Sequence, residues 1–159
     1  MDDITIRRAL RDDVPAIVRL LADDPLGRGR ENPDEPLAES YWEAFDKLRR
    51  DPNTALVVVQ DSSKAVIGCM QLNFMTGLGH QGAGRMLIED VRVDKRFRNR
   101  RIGHRLLDWA VDQARQQNCS VVELFVHHSR TDAKRFYESL GFEAKHHGMR
   151  LLLGGDEPS

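Results

Sequence analysis

Along the chain, short alternating or β-branched apolar runs take turns with stretches in which apolar residues recur every three or four positions. The first kind predicts strands and the second amphipathic helices. Ile4-Thr5-Ile6-Arg7 alternates and predicts a first strand. Asp12 or Asp13 then stands where a helix cap belongs, ahead of Val14, Ile17, Val18 and Leu21 at helical spacing. Residues 25–36 are rich in Gly, Pro and charge and predict a loop. Leu37, Tyr41, Trp42, Phe45 and Leu48 predict a second helix over 37–49. Ala55–Val59 and Val66–Phe74 predict two further strands, with Gly68 marking close packing or a bulge. The glycine-rich segment 77–84 predicts a flexible hairpin connection into a fourth strand, Met86–Val93. Simple alternation there sets Glu89, Val91 and Val93 on one face and Asp90 and Arg92 on the other. A helix is expected from Ile102 to about Gln117, carried by Leu106, Leu107, Ala110 and Ala114. A strand follows over Val121–Val126. A short helix carries Ala133, Phe136, Tyr137 and Leu140, closed by Gly141. Two last short strands are expected at Phe142–Lys145 and Met149–Leu153.

That order, β-α-α-β-β-β-α-β-α-β-β, describes a mixed α/β domain with a mostly antiparallel front half. It is not a doubly wound nucleotide fold. The 159 residues, 40% of them hydrophobic, suffice for one domain with a real core. We place that domain at 1–153, with a flexible tail at 154–159. Basic and acidic side chains number 24 and 25, a net charge of -1 that argues against a nucleic-acid partner. No uncharged apolar run approaches the roughly 20 residues of a membrane span, so no membrane partner is expected. Cys69 and Cys119 each lie in apolar runs and outside any C-x-x-C pair, as buried thiols in a reducing cytoplasmic protein would. The His127-His128 and His146-His147 pairs lack metal-ligand spacing, and no metal is expected.

The sharpest local feature is the basic run Lys95-Arg96-Phe97-Arg98-Asn99-Arg100-Arg101 between the fourth strand and the following helix. Backbone N–H groups at a helix start have no internal partner, and the peptide dipoles favour an anion there. Arg98, Arg100 and Arg101 before that end, with Gly103 in the first turn, describe a phosphate site. A solvated charge cluster is the alternative.

Arg98-Asn99-Arg100-Arg101-Ile102-Gly103 resembles the acetyl-coenzyme A pyrophosphate loop of the GCN5-related N-acetyltransferase family, whose pattern is Arg or Gln, two residues, Gly, one residue, then Gly or Ala. Arg98 and Gly103 match, whereas Arg101 replaces the first glycine. Glu89-Asp90-Val91-Arg92-Val93 resembles the family's fourth strand. Ala133 through Phe142 is similar to the family segment A-x-x-F-Y-x-x-x-G-F at every named position. The N-terminal strand and helix, with Asp13 and Ile17, also fit loosely, so the resemblance covers about residues 4 to 153.

The resemblance implies the family fold: a central, mostly antiparallel sheet of six or seven strands, splayed between the fourth and fifth, with about four helices. It implies acetyl-CoA as cosubstrate, its pantetheine arm bound by Val91, Arg92 and Val93 and its pyrophosphate by Arg98, Asn99, Arg100, Arg101, Ile102 and Gly103. Arg130 replaces the family's frequent asparagine, three residues before Ala133; both belong to the expected cofactor site. Tyr137 matches the usual general acid, and Glu89 is the expected base, with His127 and His128 as rivals. The expected activity is acetyl transfer to a primary amine of a small-molecule or amino-acid-like acceptor, in a protein that forms a homodimer. Protein N-terminal or lysine acetylation is the alternative within the class, and a non-catalytic coenzyme A sensor the alternative outside it.

Overall fold

A computed structural model describes residues 3–154. Five strands form one sheet in the order β1-β2-β3-β4-β5: β1 Ile4–Arg8, β2 Thr54–Asp61, β3 Val66–Met75, β4 Gly84–Val93 and β5 Cys119–Leu124. The first four pair antiparallel and β5 joins β4 in parallel. Six helical segments surround it: α1 Val14–Ala22, α2 Pro25–Arg28, α3 Glu39–Arg50, α4 Gly79–Gly82, α5 Ile102–Gln116 and α6 Thr131–Ser139. Two of these are single turns. α4 falls in the expected glycine-rich connection, where His80 and Gln81 take left-handed angles. α2 replaces part of the loop expected at 25–36, because Asp24 caps it by accepting from the Gly27 amide.

The expected strand count is too high. Residues 143–153 form no strand, although their apolar pattern predicts two. Of this segment Met149, Leu151 and Leu153 are almost fully exposed. Alternation identifies a strand only where a neighbouring edge and a core face receive it. The tail expected at 154–159 lies outside the described residues beyond 154.

The sheet has two apolar faces. Met70, Leu72, Met86 and Ile88 on one face pack with Ile102, Leu106, Leu107 and Ala110 of α5. Val58 and Cys69 on the other pack with Ile17 and Leu20 of α1, while Phe45 of α3 joins Val14, Val18 and Leu37 in an adjoining cluster. A cavity of about 120 Å³ remains between α1, α3 and β3.

Asp13 anchors the first turn. It accepts from both Arg7 guanidinium nitrogens, at 2.7 and 3.1 Å, and from the Leu10 amide at 2.7 Å. Burial raises its pKa, but Arg7 and the Leu10 amide outweigh that and hold it below the ordinary value. Its contribution to stability is therefore full above the unfolded carboxylate range and is lost as pH falls through the lower folded value. Asp13→Asn is expected to cost about 2 kcal/mol near neutral pH, because it leaves a half-buried guanidinium unpaired. Urea denaturation at pH 7 and pH 3 measures this; a difference between the two proteins that does not shrink at pH 3 contradicts the assignment.

Candidate active site

β4 outruns β5. Their pairing begins at Gly84–Cys119 and ends at Ile88–Leu124, so Glu89–Val93 has no partner on that side. Pairing thus stops after Ile88, at the place where the resemblance implies a splay. On its other side β4 stays tied to β3, and the Asp94 amide donates to the Ile67 carbonyl at 2.7 Å. Alternation from Asp94 turns the backbone groups of Arg92 toward β3 and those of Val91 and Val93 toward the opening. Gly68 keeps β3 close here, since a Cβ on it would lie 3.0 Å from the Arg92 carbonyl oxygen.

A β-bulge interrupts β4 at this point. Cys69 faces Arg92 and Gln71 faces Glu89, so Asp90 and Val91 together oppose Met70. Asp90 takes the left-handed conformation, φ 55°. The expected phase is therefore wrong. Val91 and Val93 continue the core face of Met86 and Ile88. Glu89, one residue from Ile88 and ahead of the bulge, does not share that face. Glu89 is exposed, yet partial desolvation and then the neighbouring Asp90 raise its pKa above the ordinary value.

The basic loop ends as a left-handed step into α5. Arg101 is the N-cap residue, with φ 60° and ψ 17°, and no side chain caps the turn. Asn99 is also left-handed, φ 63°. Arg101 occupies the family's glycine position in the conformation that glycine favours, not in helical angles. Arg101→Gly is expected to stabilise the protein by about 0.5–1 kcal/mol, read as a higher thermal midpoint; no gain would refute the strain. Gly103 serves differently from expectation. The direction of its missing side chain points at Phe136 of α6, whose Cζ would lie 3.2 Å from a Cβ there. Its small size therefore lets α5 and α6 meet. The main-chain N–H groups of Ile102 and Gly103 remain those of an uncapped first turn. Arg98 and Arg100 are exposed beside it.

Tyr137 is half-buried. Phe136 and Phe142 pack edge-on against it, with centroids 5.1 and 5.8 Å away. Burial raises its pKa, and the nearby positive charges of Arg92 and Arg130 oppose this without cancelling it. Its hydroxyl thus keeps its proton through the neutral range. Arg92 lies on the β4 wall of the opening and Arg130 at the start of α6, beyond β5. Both reach Asp24, which follows α1. Nothing in the sequence linked these three positions; Pro25 and Gly27 signalled only the end of a helix and the start of a loop. Ala133 is half-buried on α6. His127 turns back locally, its Nδ1 lying 2.7 Å from Ser129 Oγ and its ring stacked on His128. Among the described residues no group of three His, Cys, Asp or Glu could hold a metal, and no helix is long and apolar enough to cross a membrane.

The family model described as the acetyltransferase (GNAT) family matches residues 14–142. The aminoalkylphosphonate N-acetyltransferase of Salmonella typhimurium is 29% identical over 109 residues, covering 68% of this chain and 69% of that protein. A structure titled as a transcriptional regulator from Bacillus halodurans C-125 superposes with a TM-score of 0.92 at 38% identity, covering 95% of this chain and all of the other. Glucosamine-6-phosphate N-acetyltransferase from Arabidopsis thaliana superposes with a TM-score of 0.77 at 19% identity, over 96% of this chain and 100% of that one, a likeness of fold.

Proposed function

The chain belongs to the acetyltransferase (GNAT) family, and on that premise we propose that it transfers an acetyl group from acetyl-CoA to the primary amine of a small acceptor. The observation that carries this reading is the half-buried Tyr137, its pKa raised by desolvation, within reach of the Arg92 charge at the unpaired stretch of β4. The relative named for aminoalkylphosphonates supports a small acceptor over a protein.

The residues fit the cosubstrate. Backbone groups of Val91 and Val93 face the opening, as an extended pantetheine arm requires. The uncapped α5 turn, with Arg98 and Arg100 beside it, suits a pyrophosphate. Arg101 and Asn99 act through the loop shape they hold. Acetyl-CoA supplies an acyl group on a thioester sulfur. Glu89 takes a proton from the acceptor ammonium, directly or through water, so that the nitrogen carries a lone pair. The nitrogen bonds the acetyl carbon, the carbon–sulfur bond breaks as Tyr137 gives its phenolic proton to the departing sulfur, and the proton the nitrogen then sheds in becoming an amide returns through water to the Tyr137 oxygen. The raised pKa of Glu89 makes it a better base than an ordinary carboxylate, at the cost of losing charge at higher pH than usual on acidification.

The test is release of free coenzyme A thiol from acetyl-CoA with a panel of small amines, amino acids and peptides. Saturable thiol release that depends on the amine supports the reading. Tight acetyl-CoA binding without release from any amine supports a coenzyme A sensor, which the likeness to a transcriptional regulator at 38% identity favours.

The reading includes a homodimer. β5 has a strand on one side only, Phe125 directly after it is exposed, and Met149, Leu151 and Leu153 leave further apolar surface uncovered. Sedimentation should give twice the chain mass, and Leu151→Asp with Leu153→Asp should halve it.

A further inference from the structure

Three charged side chains from distant parts of the chain meet beside the opening between β4 and β5. Arg130 Nη2 donates to Asp24 Oδ2 at 2.5 Å. Arg92 Nε lies 3.3 Å from the same oxygen. The other carboxylate oxygen is taken by the Gly27 amide. The side chains of Asp24, Arg92 and Arg130 are only 12%, 15% and 30% exposed. The nearby Asp23 faces Lys95 instead.

The cluster is one charge out of balance: two guanidiniums share one carboxylate. Burial alone would raise the Asp24 pKa, but the Gly27 amide, Arg130 and Arg92 hold it below the ordinary value. The carboxylate is therefore charged and already committed. Arg92 Nη1 donates to the Val91 carbonyl at 3.0 Å. Its Nε–H is buried and has no hydrogen-bond acceptor. The 3.3 Å contact with Asp24 is thus an ion pair out of line for a hydrogen bond. A buried charged donor without an acceptor is costly. A second anion with oxygen acceptors would balance the charge and satisfy the donor.

We propose that Arg92 and Arg130 bind an anionic oxygen group, a carboxylate or phosphonate, carried by the acceptor a few bonds from its amine. This rests on the acetyl-transfer reading and names the acceptor's class. Both arginines act on Tyr137, which that reading sets at the reacting sulfur, whereas the uncapped α5 turn serves the cofactor phosphates. Asp24 occupies part of the site and competes with the ligand.

The experiment uses 3-aminopropylphosphonate, β-alanine and propylamine with the full chain. We expect kcat/KM at least 50-fold higher for either acid than for propylamine. Arg130→Gln should cut that ratio at least tenfold, mainly through KM. Asp24→Asn keeps an oxygen for the Gly27 amide and should tighten 3-aminopropylphosphonate binding severalfold, measured calorimetrically with coenzyme A present. A purely structural cluster predicts weaker binding in that variant. Equal kcat/KM for the acids and propylamine, or no saturable phosphonate binding, overturns the proposal. So does an unchanged ratio in Arg130→Gln with a tenfold loss of acetyl-CoA affinity, which would assign the arginines to the cofactor phosphates. Phosphonate binding that needs Arg130, without turnover of any amine, keeps the anion site and sinks the acetyl-transfer reading.

Discussion

Tyr137→Phe is expected to lower kcat by about 10²-fold or more with a good amine acceptor, within the usual contribution of a positioned acid. The hydroxyl is the only group removed. The ring contacts with Phe136 and Phe142 stay available, so the fold should hold. Acetyl-CoA affinity should change little, because the proton is needed only as sulfur departs. The pH profile separates this from a packing defect. An acid whose pKa is raised above 10 acts at all lower pH and fails as pH rises through its own value. The rate of the wild type with a non-titrating amine should therefore fall in the alkaline range, and that limb should vanish in the variant. The acid limb, set by Glu89 above its ordinary 4.5, should persist in both. An unchanged kcat across pH would remove Tyr137 from the chemistry.

The second large effect concerns Gly103. Two accounts of this glycine differ in sign. If it only opens the backbone to phosphate, added carbon should stabilise the helix, since alanine is favoured over glycine by about 1 kcal/mol, and only cofactor affinity should suffer. The structure instead sets Phe136 Cζ 3.2 Å from the first added carbon. The tip of one ring can shift by a few tenths of an ångström for alanine. It cannot do so for the branched carbons of valine, and overpacking of this kind costs about 1–3 kcal/mol. Gly103→Val should therefore lower the thermal midpoint by roughly 5–10 °C. It should also weaken acetyl-CoA binding at least tenfold, because α5 begins at the phosphate turn. The double variant Gly103→Val with Phe136→Ala should destabilise less than the sum of the two single changes. Additive effects, or a more stable Gly103→Val protein, would return the glycine to a purely ligand-facing role.

Legibility of the site differed from residue to residue. Arg98, Gly103 and the A-x-x-F-Y-x-x-x-G-F segment were picked out through the family resemblance, because each motif is a local spacing within one loop or helix. The opening between β4 and β5 was expected only through the family resemblance. The phase of β4 was misread because one inserted residue, Asp90, reverses every side chain after it. Alternation cannot register such an insertion where two acidic residues, Glu89 and Asp90, stand side by side. The left-handed step at Arg101 was not legible either, since nothing about arginine announces it.

Local periodicity alone determined most helices, four of the five strands nearly to their ends, and the position of the basic loop. Those features arise from interactions within a few residues, which a sequence displays directly. The tertiary structure decided the rest. It withheld strands from 143–153, where the apolar pattern was present but no core face receives it. It turned Gly103 toward Phe136, 33 positions away in the chain. It also drew Asp24, Arg92 and Arg130 to a single carboxylate across 106 residues. Such a meeting depends on how β4 and β5 diverge and where α1 ends against them, and no residue type or spacing encodes it until the sheet has formed.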